Sequence, residues 1–156
     1  MNGIIVINKP KDYTSRDIVN IVSKKLNTKK VGHTGTLDPL ATGVLVLPIG
    51  RALKVSELLT SNTKEYIAEV ILGYETDMLD ITARSGTPVT PPSKEVEVYS
   101  LELISDLKHI KGAVEFTIRC EVSKGTYIRS LIRDIAYSLN TYGTMKNLIR
   151  TRQGIF

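Results

Sequence analysis

The residue whose type and setting most invite chemistry is Asp38, in the run Gly32-His33-Thr34-Gly35-Thr36-Leu37-Asp38-Pro39-Leu40-Ala41-Thr42-Gly43. It is a carboxylate between a leucine and a proline in a glycine-rich loop, where solubility does not call for one. Proline fixes the backbone after it and restricts the residue before it, so Asp38 is held in an extended or turn geometry. The glycines let backbone or substrate approach closely. Such a carboxylate can act as a preorganised nucleophile or as an acid and base. The plainer reading is an Asp-Pro turn initiator. A phosphate loop is excluded, because no Gly-Lys-Ser/Thr ending follows.

A second cluster is Ser123-Lys124-Gly125-Thr126-Tyr127-Ile128-Arg129, at the start of an amphipathic stretch. Thr126 is a natural helix cap, and Arg129 then falls in the first turn. A cation there opposes the positive end of the helix dipole, at roughly 0.3–1 kcal/mol if exposed. Either an anion answers it, a carboxylate or a phosphate, or the side chain bends into solvent. Tyr66 starts a strand on the face shared with Ala68 and Val70, where most tyrosines are half-buried packing residues. Cys120 lies on an apolar strand face and reads as a small buried thiol.

These residues need elements to position them. Ile4 to Ile7 reads as a strand ended by Asn8-Lys9-Pro10. Thr14 or Ser15 caps a helix running to about Leu26, with Ile18, Ile21 and Val22 as its apolar stripe. Val44 to Leu47 is a buried strand and Ala52 to Leu59 a short helix. Lys64 to Leu72 alternates, with Tyr66, Ala68, Val70 and Leu72 on one face. Gly73 to Ser93 reads as loop. Lys94 to Ile104 alternates with a parity shift that hints at a bulge, and Gly112 to Val122 alternates cleanly. A helix from Tyr127 to Leu139 carries Ile128, Leu131, Ile132, Ile135 and Leu139, and Met145 to Thr151 closes the chain as a strand. The class is α+β.

The 156 residues are one domain's worth, with 42% hydrophobic and 24% charged residues, as in ordinary globular chains. No apolar run approaches the ~20 residues of a membrane helix, and the N-terminus does not read as a signal peptide. One cysteine excludes a disulfide scaffold and a multi-Cys zinc site, and His33 and His109 show no ligand spacing. The expectation is a cytoplasmic, metal-free protein. Twenty-one Lys and Arg against sixteen Asp and Glu give a net charge of +5. That bias favours polyanions, of which RNA or DNA is the commonest.

Taken together, these segments resemble the TruB family of tRNA pseudouridine synthases, to which the catalytic subunit of the H/ACA guide-RNA enzymes is related. The resemblance runs in order through Gly3 to Pro10, the Gly32–Gly43 block, Lys64-Glu65-Tyr66, Thr76-Asp77, Asp80, Ser123 to Asp134 and Leu148-Ile149-Arg150-Thr151. It implies a mixed, mainly antiparallel sheet flanked by helices, with the active site in a central cleft. It further implies that Asp38 is the catalytic aspartate and that Tyr66 stacks on a flipped uracil and takes part in proton removal. Arg129 matches the arginine that pairs with the aspartate. His33, Tyr127 and Leu148 match residues lining the nucleotide pocket, Lys9 and Pro10 a basic motif that buttresses the catalytic loop. Lys9 and Lys124 are also expected on the substrate-binding side.

The implied function is isomerisation of uridine to pseudouridine in RNA, in the TΨC loop of tRNA, by a monomer without metal or organic cofactor. The alternative is a catalytically weak RNA-binding or RNA-folding module built on the same core. Residues 1–156 then form a single catalytic domain with an apparent deletion at about 90–91, where the family carries a thumb-like insertion. A small C-terminal RNA-binding domain is likewise not seen after Phe156. Whether the chain is naturally minimal or an engineered deletion stays open at this point.

Overall fold

The computed structural model describes residues 1–60, 63–73 and 95–156. In chain order these form β1 (Gly3–Lys9), α1 (Ser15–Leu26), β2 (Thr42–Ile49), a 3-10 turn (Gly50–Lys54), α2 (Ser56–Thr60), β3 (Thr63–Leu72), β4 (Val98–Leu103), β5 (Lys108–Ile110), β6 (Ala113–Ser123), α3 (Ile128–Ser138) and β7 (Gly143–Gln153). The seven strands make a mixed sheet in the order β1-β2-β7-β3-β6-β4, with β5 on β6. The class is α+β. The loop expected from Gly73 to Ser93 lies outside the described residues except for Gly73, as does the Thr90–Pro91 junction.

The residues group into two compact units, 1–67 with 148–156 and 68–147. Strands β3 and β7 run through both. In the first unit β1 pairs antiparallel with β2 from Gly3 opposite Ile49 to Lys9 opposite Gly43. The continuous run Leu45 to Ile49 is buried, as an apolar run without alternation requires. A parallel contact joins β2 to β7 through Thr42–Ile149 and Gly43–Arg150. Helix α1 opens with a capping box, Thr14 accepting from the Asp17 N–H and Asp17 from the Thr14 N–H. It buries Ile18 and Val19, while Ile21, expected on the inner stripe, is exposed. The helix expected over Ala52–Leu59 is broken at Val55 into the 3-10 turn and α2.

In the second unit β6 alternates as expected, with Ile118, Cys120 and Val122 buried. Strand β4 pairs with it antiparallel, with an irregularity between Val98 and Ser100 where the parity shift lies. All of β4 is exposed, its apolar residues included. The short β5 has no clear period in sequence; its pairing with β6 creates it. Helix α3 packs Ile132 and Ala136 against Gly143, where a methyl group would meet them and Leu72.

Candidate active site

The catalytic-loop candidate leaves the sheet edge in steps. Val31 bridges Ile49 and Thr34 bridges Val46, so the segment runs beside β2 before turning away. Gly35 has φ of +79°, and its carbonyl accepts from Arg150 Nη2 at 3.0 Å. The Thr34 carbonyl accepts from the buried Gln153 amide at 2.6 Å. Leu37 is buried, and the Ser15 hydroxyl takes its N–H at 2.9 Å and donates to its carbonyl at 3.3 Å. Asp38 itself is exposed, and its carbonyl closes a turn with the Ala41 N–H at 3.0 Å. The residue after it is tied down as well, since the Pro39 carbonyl accepts from the Asp12 N–H at 2.8 Å. Both neighbours of Asp38 are therefore fixed, with Asp38 exposed between them.

Lys9 supports the same turn from below. It is 0% exposed, and its ammonium reaches the carbonyls of Pro10, Tyr13 and Pro39 at 2.8, 2.5 and 3.4 Å. An ammonium has three donors, and three carbonyls answer them. Burial pulls its pKa below the ordinary lysine value, and Asp12, Asp38 and Asp17 act in the opposite sense. The cation thus lies within electrostatic reach of Asp38.

Tyr66 on β3 is 5% exposed, on the buried face with Ala68 and Val70. Beside it is Arg150, 0% exposed on β7, whose Nε donates to the Val44 carbonyl at 2.8 Å while Nη2 holds Gly35. Arg150 Nη1 is buried without a well-aligned partner. Burial lowers the guanidinium's pKa, and the Tyr66 side chain opposes this through its charge and a hydrogen bond. Arg150 therefore joins the tyrosine, the loop and β2.

Residues 23–84 match the family described as TruB family pseudouridylate synthase (N-terminal domain). The tRNA pseudouridine synthase B of Fusobacterium nucleatum subsp. nucleatum is 37% identical over 201 aligned residues, covering 99% of this chain and 68% of its own. That of Alkaliphilus oremlandii is 37% identical over 203 residues, covering 100% of this chain and 66% of its own. The chain belongs to the TruB family.

A solved H/ACA ribonucleoprotein bound to a substrate RNA containing 2′-deoxyuridine is 34% identical, with a TM-score of 0.77, over 97% of this chain and 47% of that one. This TruB-family chain thus spans about two-thirds of its curated relatives, 68% and 66%, and about half of the solved chain, 47%.

The remaining expected site residues divide between the units. Leu148 is buried in the first unit, two positions before Arg150 and so on the same strand face. His33 is half-buried there, its Nδ1 enclosed and unpartnered. Burial first, then Arg16 and Arg150, hold its imidazole below the ordinary pKa. In the second unit Lys124 and Arg129 are exposed, and Tyr127 is 73% exposed. The second unit's open cleft of about 260 Å³, lined by Glu69, Asp106, Lys108, Glu115 and Lys146 among others, contains none of the expected site residues. Among the described residues no cluster of His, Cys, Asp and Glu could hold a metal, and no helix is long and apolar enough to cross a membrane.

One expectation needs correction. Thr126 does not cap α3; Tyr127 occupies the cap position without a side-chain bond, and Thr126 is buried within the preceding turn with its hydroxyl 3.3 Å from that of Ser123. Lys9 has no exposed surface, and its ammonium donors go to the carbonyls of Pro10, Tyr13 and Pro39. Sequence reasoning missed Arg150, Ser15 and Gln153. The local signal for Arg150 was its place two residues after Leu148, on the same strand face.

Proposed function

We propose that this chain isomerises uridine to pseudouridine in RNA, at the T loop of tRNA, with Asp38 as the reacting carboxylate. The observation that carries this reading is an exposed Asp38 whose flanking residues are both held, Leu37 by the buried Ser15 hydroxyl and Pro39 by the buried Lys9 ammonium and the Asp12 N–H. A turn initiator needs no such support; a nucleophile does, because its position relative to C1′ sets the rate. The reaction breaks the N1–C1′ bond, turns the base over and joins C5 to C1′; the proton at C5 leaves at the end and N1 takes one up, so the atoms balance. No net redox change occurs. Asp38 serves as nucleophile at the sugar or as base and electrostatic partner, and Tyr66 stacks on the base and assists proton removal. Arg129 is the arginine that would pair with the carboxylate and orient it. His33, Tyr127 and Leu148 line the pocket for a base flipped out of its loop, and Lys124 holds phosphate at its rim.

The setting proposed is the cytoplasm and the working form a monomer. The apparent deletion at about 90–91 is supported by alignments longer than the chain's 156 residues, 201 positions for the Fusobacterium relative, so that protein carries residues without counterparts here. The test is an unmodified tRNA transcript incubated with the chain and assayed for pseudouridine by mass spectrometry. Wild type should modify one T-loop uridine, and Asp38→Asn should bind the transcript yet form no product. Equal product from both would remove Asp38 from the chemistry. Binding without product from wild type would favour the RNA-binding module.

A further inference from the structure

Residues Glu95 to Leu107 differ in character from the rest of the chain. Four of the thirteen are acidic, Glu95, Glu97, Glu102 and Asp106, and none is basic, in a chain of net charge +5. Seven of the thirteen are large apolar residues, and all seven are exposed. A contiguous apolar surface of this kind, rimmed by charge, marks an interaction site on a soluble protein.

The fold puts this segment at the end of the sheet. β4 is the last strand in the order, with β6 on one side and, among the described residues, no strand on the other. The Ile104 N–H bonds the Thr117 carbonyl at 2.9 Å. In an antiparallel ladder the backbone groups turn to the partner strand at every second residue, so Ser100, Glu102 and Ile104 face β6. The N–H and C=O groups of Leu101 and Leu103 then face the open edge.

The side chains of the same two leucines lie on the buried face of the sheet. Leu101 stands opposite Cys120 and Leu103 opposite Ile118, and both of these partners are buried. Residues directly opposite each other project to the same side. Yet Leu101 and Leu103 are 51% and 52% exposed. The apolar layer that is closed at β6 is unfinished at β4. One further strand would take up the outward backbone groups and cover both leucines. Edges that stay in water are blunted by lysine or proline, and Val98–Leu103 holds neither.

Charge selects the kind of strand. Glu102 pairs with Arg119 at 3.6 Å, while Glu95, Glu97 and Asp106 are exposed and have no ion pair among the described residues. A second copy of the chain would bring its own four acids to this edge, and RNA would bring phosphates. Like charges side by side repel. We propose that the β4 edge is a docking site for an extended, basic segment of a partner protein. The segment adds to the sheet as a further strand, laying apolar side chains over Leu101 and Leu103 and setting lysines or arginines against the flanking acids.

The test is titration of the full chain with a capped peptide, one strand in length, in which valine alternates with lysine and arginine. Fluorescence anisotropy reads binding, and amide hydrogen exchange reads its place. The basic peptide should bind at least about tenfold more tightly than a matched peptide carrying glutamate instead. At saturation, exchange of the Leu101 and Leu103 amides should slow by about tenfold or more, while that of Glu102, already turned to β6, changes little. Leu101→Lys/Leu103→Lys places charges on the edge at exposed positions and should bind about tenfold or more weakly. Glu95→Gln/Glu97→Gln/Asp106→Asn should weaken binding at low salt and flatten its salt dependence. Leu58→Lys, at an exposed leucine of the first unit, should bind as wild type does. Absence of binding, equal binding of the two peptides, or binding without slower exchange at Leu101 and Leu103 would overturn the proposal. So would protection of those two amides by tRNA, which would make the edge an RNA surface. Their protection on concentrating the chain alone would overturn it as well, by making the edge a contact between copies.

Discussion

The guanidinium of Arg150 donates to the carbonyl of Gly35 at 3.0 Å, tying the last strand to the loop three residues before Asp38. The same side chain holds Val44 and lies against Tyr66, so one buried cation sets the loop and the tyrosine in one frame. Gly35 has φ of +79°, a backbone conformation that favours glycine. A methyl group there would lie 2.7 Å from the Gln153 amide nitrogen and 3.0 Å from the Lys64 ammonium.

Replacing Arg150 by methionine should lower stability by about 1–3 kcal/mol, because two carbonyls lose their donor while the cost of burying a charge is relieved. Turnover should fall at least about tenfold, by the sensitivity of rate to misplacement, with tRNA affinity little changed. Arg150→Lys should not rescue, since a single ammonium cannot reproduce the guanidinium's fork. Urea unfolding and single-turnover kinetics read the two effects separately. Turnover unchanged in both variants would sever the link to the loop.

Lys9→Met leaves three carbonyls short of a donor and should cost about 1–3 kcal/mol. Because Lys9 is proposed to act only through the Pro39 turn, kcat should drop while KM for tRNA moves little. An effect on KM alone would return Lys9 to the substrate-binding side.

Gly43 has φ of +106°, and a methyl group there would run into the Arg150 carbonyl oxygen. Gly43→Ala should cost about 1–3 kcal/mol through the clash and roughly a further 1–2 kcal/mol through the left-handed backbone. Gly112→Ala, with φ of +83° and nothing within 4 Å, should show the backbone cost alone. Comparing their melting curves isolates the close approach of β2 to β7.

His33 gives a pH dependence of definite sign. Its pKa in the fold lies below the ordinary value, so the unfolded chain binds the proton more readily. The stability it contributes is full above about 6.5 and is lost as pH falls from there through the folded value. Wild type should lose more stability than His33→Gln between pH 7 and pH 5 in urea titrations. Parallel curves for the two proteins would show that the ring titrates as it does in the unfolded chain.

Most of the elements and the candidate aspartate are legible in the residue order alone. The capping box at Thr14, the alternation of β3 and β6 and the parity shift in β4 are local signals, written in residues close in the chain. The Gly32–Gly43 block carried the resemblance for the same reason, its pattern being contiguous. What lies under that block emerges only in the folded chain. Ser15 meets Leu37 across 22 residues, Arg150 meets Gly35 across 115 and Gln153 meets Thr34 across 119. No local pattern encodes such partners, because only the pairing of β1 with β2 and of β2 with β7 brings them within hydrogen-bond reach. Folding likewise supplies the three carbonyls around Lys9, since whether a lysine meets water or carbonyls depends on what the rest of the chain places around it.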